Sequence, residues 1–239
     1  MHQGSCQTLF KQAVIGDHPG ILARIHHPQI NLAVWKDALK TPATASYANQ
    51  LDLDAICPDQ EWRDDYYKNV TGMQHRRSWT QKTRAGAQAE LDSRLERAGF
   101  PVAGQMPGET RKNLAAGIGR IAEFFARAVN EDHVTFSLLL FRETEAAFWH
   151  TDGGPERGIV TLSGDDGTLW LPDCILPKNH DRRAVYWDEA QKQTLPVQEI
   201  GPGDMAIFKC GAQDRPLVHS SPARTRPRLV MTMGAPNRE

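Results

Sequence analysis

From residue 133 onward the chain is a succession of short apolar runs, each closed by glycine, proline or aspartate. They are VTFSLLLF (134–141), GIVTLSG (158–164), GTLWLP (167–172), RAVYW (183–187), DMAIF (204–208) and RLVMTM (228–233). Runs this short, rich in β-branched and aromatic residues, read as strands rather than helices. Many short strands with turn signals between them predict a sandwich, jelly roll or barrel. The texture before residue 132 is different. Leu114, Ile118, Ile121, Phe125 and Ala128 recur at three- and four-residue steps, so the spacing predicts a helix over 114–129. Arg120, Glu123 and Arg127 fall on its opposite side. A second helix is expected over 87–98, stopped by Gly99, and a weaker one over 31–39, closed by Thr41-Pro42. Residues 101–108 (PVAGQMPG) read as a loop.

The expected organisation is α+β: a mainly helical region, 1–132, covering a β-structure that occupies 133–239. One compact unit is expected, because the helices supply the apolar face that one sheet needs.

Composition narrows the class of function. The 239 residues carry 28 Lys and Arg against 29 Asp and Glu, a formal net charge of −1. This balance gives no electrostatic reason to bind nucleic acid or an anionic membrane. No stretch approaches the roughly 18 to 20 apolar residues that span a bilayer, and the first twenty residues lack a secretory pattern. The four cysteines (Cys6, Cys57, Cys174 and Cys210) are scattered with no CxxC pair, as expected of reduced thiols in the cytoplasm. No GxSxG elbow, P-loop or GxGxxG fingerprint is present.

In FWHTDGG (148–154), His150 and Asp152 stand at i and i+2. On a strand both side chains leave by one face, and Gly153-Gly154 places them at its end. An HxD triplet alone equally describes a surface histidine beside a turn aspartate. The downstream context changes the balance. PLVHSSP (216–222) delivers His219, and nine positions later Arg228 opens the last strand, sharing a face with Val230 and Thr232 while Leu229, Met231 and Met233 take the other. Two histidines and one carboxylate leave coordination positions open, which suits non-haem iron(II). An arginine heading an inward row can clamp a small carboxylate through two hydrogen bonds.

The order HxD, distal histidine, then arginine resembles the iron(II)/2-oxoglutarate-dependent dioxygenases over about residues 134–235. Their fold is the cupin-like double-stranded β-helix. A closer resemblance is to an uncharacterised bacterial family, a domain of unknown function, carried by HTD (150–152), RGIVTLSGDDGTLWLPD (157–173) and HSSP (219–222). In this chain the turn Gly164-Asp165-Asp166-Gly167 is longer than that family's pattern. The resemblance implies iron held by His150, Asp152 and His219, with Arg228 gripping 2-oxoglutarate and Thr232 on the same row. It further implies a hydroxylase-type reaction in which loss of carbon dioxide from the co-substrate drives attack on a C–H bond. The alternative is a non-catalytic cupin-like protein, holding zinc or iron for homeostasis or sensing, since zinc accepts the same ligands. The substrate and the oligomeric state have no signature in the sequence.

Other candidates carry less. Arg226 rivals Arg228, but Pro227 argues that regular pairing starts at Arg228. Trp149 and Trp170 read as barrel core or rim. Arg157 reads as a turn arginine or a contact for an acidic substrate. Cys174, His180 and Cys210 match no zinc spacing, and His26-His27 point apart in regular structure. WRDDYYKNV (62–70) and HRRSW (75–79) fit a pocket or partner surface, or an amphipathic helix over the barrel, equally well.

Overall fold

The computed structural model of the protein describes residues 12–39, 75–82, 108–141, 149–172, 196–222 and 228–235. Among these the strands are β1 (Ala13–Gly16), β2 (Leu32–Trp35), β3 (His75–Lys82), β4 (His133–Phe141) and β5 (Glu156–Ser163). They continue with β6 (Thr168–Trp170), β7 (Gln198–Ile200), β8 (Met205–Lys209), β9 (His219–Ser220) and β10 (Arg228–Gly234). One α-helix, α1 (Gly108–Ala128), and a 3-10 helix, Pro19–His26, complete the described elements. Seven strands form one sheet in the order β1-β2-β8-β5-β10-β4-β3, and three form a smaller sheet, β7-β6-β9. The β1–β2 pair is parallel and the other described pairs are antiparallel.

Strand β10 shows how sequence alternation builds the layers. Leu229, Met231 and Met233 pack with Ile118, Ile121 and Phe125 of α1 on the outer face of the large sheet. Val230 points the other way, into a core with Phe141, Ile159, Phe208, Trp170 and Leu217 between the two sheets. The two-residue period of a strand makes this division, and it matches the expected faces of β10. On α1, Ile118, Ile121 and Phe125 are fully buried while Arg120 and Arg127 are exposed, as the helical spacing predicts.

The N-terminal region departs from expectation. Residues 32–35 form β2 at the place of the weak helix over 31–39. Leu32 and Val34 enter the core between the sheets, and Ala33 and Trp35 enter the core under α1. With both faces buried, the strand reads as a continuous apolar run that shows no alternation. HRRSW belongs to β3, which pairs along its length with β4, so it is a strand and not a helix. Among the described residues, the region 1–132 contributes three strands to the large sheet as well as α1 and the 3-10 helix, and the sheet crosses the boundary expected near residue 132. The expected helix over 87–98, the loop over 101–107, the strand at 183–187 and the segment 62–70 lie outside the described residues. No described helix is long and apolar enough to cross a membrane.

The turn into β8 is tied to β2 by a buried carboxylate. Asp204 accepts the Asp37 amide at 2.9 Å through Oδ1, and the Gly201 amide at 3.2 Å and Lys36 Nζ at 2.6 Å through Oδ2. It is 2% exposed. Charge-assisted bonds of this kind contribute more than neutral ones, so Asp204→Ala is expected to cost about 3 kcal/mol. Lys36→Ala should cost under about 1 kcal/mol, because the lysine is half exposed and screened. Urea unfolding of both variants checks this: a shift in midpoint at constant slope is expected for Asp204→Ala only.

Candidate metal centre

His150, Asp152 and His219 converge. One ligand atom from each lies within 4.8 Å of the others, and among the described residues this is the group placed to share an ion. His150 and His219 sit opposite each other as an antiparallel bridge. The amide of each donates to the carbonyl of the other, at 2.9 and 3.0 Å. The bridge adds residue 150 to the β9 edge of the small sheet. His150 is therefore held by one bridge, not by the longer strand that the HxD spacing predicts, and Asp152 lies in the loop just beyond it.

That loop is fastened from behind. Gly211 N–H donates to Asp152 O at 2.8 Å, Ala212 N–H to Gly154 O at 3.0 Å, and Cys210 N–H to Pro155 O at 2.9 Å. Gly154 takes a φ of +88°, a left-handed conformation that glycine adopts without strain. A Cβ at Gly153 or Gly154 would meet nothing within 4 Å, so the space beside the aspartate is open. Gly153 and Gly154 are themselves exposed.

Asp152 Oδ1 is 3.8 Å from His150 Nε2, and Oδ2 is 3.6 Å from His219 Nε2. Both distances exceed a normal hydrogen bond. Two ligands of one ion, each bound at about 2.1 Å, can be at most about 4.2 Å apart, so both separations suit a shared metal. His219 is 5% exposed, and its ring lies 4.7 Å from the Phe208 ring. Burial, then the neighbouring His150, pushes its imidazole down to about 4. Near neutral pH His219 is uncharged and offers a lone pair, the form a metal requires. The donor set fits a divalent transition ion.

Arg228 is 2% exposed and heads β10 as expected. Its Nη1 donates to Gly167 O at 2.6 Å and its Nη2 to Ser221 Oγ at 2.8 Å, and its guanidinium lies 5.1 Å from the Phe141 ring centre. Ser221 stands two residues beyond His219. Through Ser221 the guanidinium is tied to the segment that carries His219. The long turn Gly164–Gly167 is shaped around this contact. A Cβ at Gly167 would fall 1.5 Å from Ile200 O, and one at Gly164 would fall 3.0 Å from Arg228 Cγ. Arg228 therefore bonds the small sheet from the large one. A purely metal-storing protein has no co-substrate for Arg228 to hold, and this cross-sheet bonding gives the residue a use there as well. Thr232 is buried on the same inward row, in register with Ser137 and Ile159.

Four contacts have no counterpart in the sequence reading. Arg157 Nε approaches Asp152 Oδ2 at 3.1 Å, Phe208 lies against His219, and Ser221 and Gly167 receive the guanidinium. The His-x-Ser spacing of 219 and 221 was a usable sign, since i and i+2 share a strand face. Trp149 and Trp170 are core residues, as expected. Cys210 is buried, and burial pushes its thiol well above the ordinary range. Its suggested partners Cys174 and His180, like Arg226, lie outside the described residues. His26 Nε2 contacts Ala128 O at the end of α1, and His27 Nδ1 accepts the Gln29 amide.

Residues 16–234 match the family described as Protein of unknown function (DUF1826). The chain belongs to that family. Its HTD, GTLWLP and HSSP segments, which carried the resemblance, supply His150, Asp152, the β6 strand and His219 of this DUF1826 protein. No curated protein matches the chain. Among solved structures it is similar to a rice dioxygenase for auxin oxidation, at 12% identity over 95% of this chain and 86% of that one, with a TM-score of 0.47. It is also similar to a Pseudomonas putida prolyl-4-hydroxylase, at 13% identity over 92% and 99%, TM-score 0.41. A third is the epimerase SnoN in complex with Fe3+, alpha-ketoglutarate and nogalamycin RO, at 15% identity over 90% and 81%, TM-score 0.44.

Proposed function

We propose that this protein is a non-haem iron(II)/2-oxoglutarate-dependent oxygenase on a double-stranded β-helix, with His150, Asp152 and His219 as iron ligands. The observation that carries the reading is the joint placement of the three ligands and Arg228. A two-histidine, one-carboxylate set and a buried guanidinium bonded to Ser221, two residues beyond His219, suit a short dicarboxylate held by metal and arginine together. Iron with a bound 2-oxo acid supplies oxygen activation and oxidation of a C–H bond.

The chain's own groups bind and orient. His219, uncharged and packed against Phe208, presents its nitrogen without first losing a proton. Gly167 O and Ser221 Oγ hold the Arg228 fork in place before the co-substrate arrives, so little side-chain entropy is lost on binding. Thr232, buried on the same inward row, would offer a hydroxyl to the bound co-substrate.

Anaerobic addition of iron(II) and 2-oxoglutarate should produce the visible charge-transfer band of the chelate. Absence of the band at full iron loading would overturn the reading. The second reading, a non-catalytic zinc or iron protein, is favoured by one observation: Arg228 already serves to join the two sheets. Metal analysis of protein purified without chelators separates the two, because stoichiometric zinc that iron does not displace supports the second.

A further inference from the structure

His219 is the most enclosed of the three ligands, and the end of β8 meets it twice. Leu217 N–H donates to Lys209 O at 2.9 Å, which ties the chain entering β9 to the last residue of β8. One residue earlier, Phe208 is fully buried and in register with Leu32 and Arg157. Its ring centre stands 4.7 Å from that of His219, with the planes at 51°. The imidazole also lies 4.3 Å from the His150 ring. Polar contact fixes less of its orientation. His219 Nδ1 faces Leu217 O at 3.4 Å, beyond the usual span of a hydrogen bond. A carbonyl only accepts, so Nδ1 carries the hydrogen and Nε2 keeps the lone pair, 3.6 Å from Asp152 Oδ2.

A bond that long is weak, and a ligand nitrogen serves only while its ring stays turned toward the ion. We propose that Phe208 is a positioning residue for the metal centre: its ring, fixed on β8, holds the His219 imidazole with Nε2 on the Asp152 side. The ligand is then in place before the ion arrives. The proposal rests on the metal reading of the site. Turning the imidazole about its Cβ–Cγ bond would put a C–H against Leu217 O and carry Nε2 away from Asp152. Phe208 resists that turn because it shares a core with Leu32, Trp170 and Leu217, and a close-packed ring does not shift without moving its neighbours. Loss of an outer partner of a metal ligand typically costs about 10- to 100-fold in metal affinity.

The test uses metal alone, with iron(II) and zinc(II) affinities read by anaerobic competition against a coloured chelator. Wild type is compared with Phe208→Leu, Phe208→Met and Val34→Ala. Leucine and methionine keep the position apolar but remove the flat ring. Val34 lies in the same core on β2, opposite Ala206, so its truncation reports loosening of the core by itself. Melting temperatures of the metal-free samples and the d–d spectrum of the cobalt(II)-loaded ones are read alongside. Both Phe208 variants should bind iron(II) about 10- to 100-fold more weakly and show an altered cobalt(II) spectrum. Val34→Ala should bind and absorb as wild type, even where its melting temperature falls as far. Where Phe208→Leu fails to fold, Phe208→Met decides. A folded Phe208 variant with wild-type affinity overturns the proposal. Equal weakening in Val34→Ala does so too, because loosening of the core would then be the cause. A wild-type chain that takes up no metal removes the metal reading and this proposal with it, whereas one that binds metal but no 2-oxoglutarate loses the oxygenase reading alone.

Discussion

His219→Ala and His150→Ala chains, reconstituted anaerobically, should carry no stoichiometric metal. Losing a hydrogen-bond partner of a ligand typically costs about 10- to 100-fold in metal affinity. Loss of a ligand itself should exceed that range. The two variants differ in what else they disturb. His150 is partly exposed at a sheet edge, so its replacement should leave the fold intact. His219 is buried against Phe208, and truncation leaves a void between the sheets. A loss of stability of about 1–3 kcal/mol is therefore expected for His219→Ala in addition to the lost metal. Elemental analysis together with urea unfolding checks both parts. Full metal content in both variants would remove the assigned site.

Arg228→Ala should show two losses at once. Truncation leaves the buried Gly167 O and the half-buried Ser221 Oγ without their donor, and removes the packing of the guanidinium on Phe141. An unsatisfied buried polar group costs about 1–3 kcal/mol, so a destabilisation of about 3 kcal/mol is expected. The 2-oxoglutarate concentration that half-saturates the chelate band should rise by two orders of magnitude or more, on the order of 3 kcal/mol for a charge-paired contact. Arg228→Lys keeps the charge but not the planar fork that spans Gly167 O and Ser221 Oγ, so it should rescue the band only partly. A variant that is destabilised but binds 2-oxoglutarate normally would leave Arg228 as a bond between the sheets and nothing more. A variant as stable as wild type would contradict the bonding itself.

Much of the molecule was legible residue by residue. The strands at β4, β5, β6, β8 and β10 announce themselves as short apolar runs with turn residues at each end, and α1 by its three- and four-residue spacing. The alternation of β10 correctly separated the Arg228 row from the Leu229 row, because one row meets α1 and the other meets the small sheet. Strand β2 was misread because four successive buried residues erase the period that distinguishes strand from helix.

The site divides in the same way. His150, Asp152 and His219 could be listed from their residue types and spacing, since ligand chemistry depends on which atoms a side chain carries. Their convergence depends on the pairing of residue 150 with residue 219, and such a register is a long-range choice that no local pattern encodes. The same limit hid the partners of Arg228, which arrive from β6 and from beyond β9, and the approach of Arg157 to Asp152 across a glycine turn. Sequence alone determined the donor set, the strand-rich class and the faces of the last strand, all of them properties of single segments. Only the tertiary structure decided which donors meet, which oxygen of Asp152 faces an arginine, and that Arg228 also joins two sheets, because each of these is a contact between segments far apart in the chain.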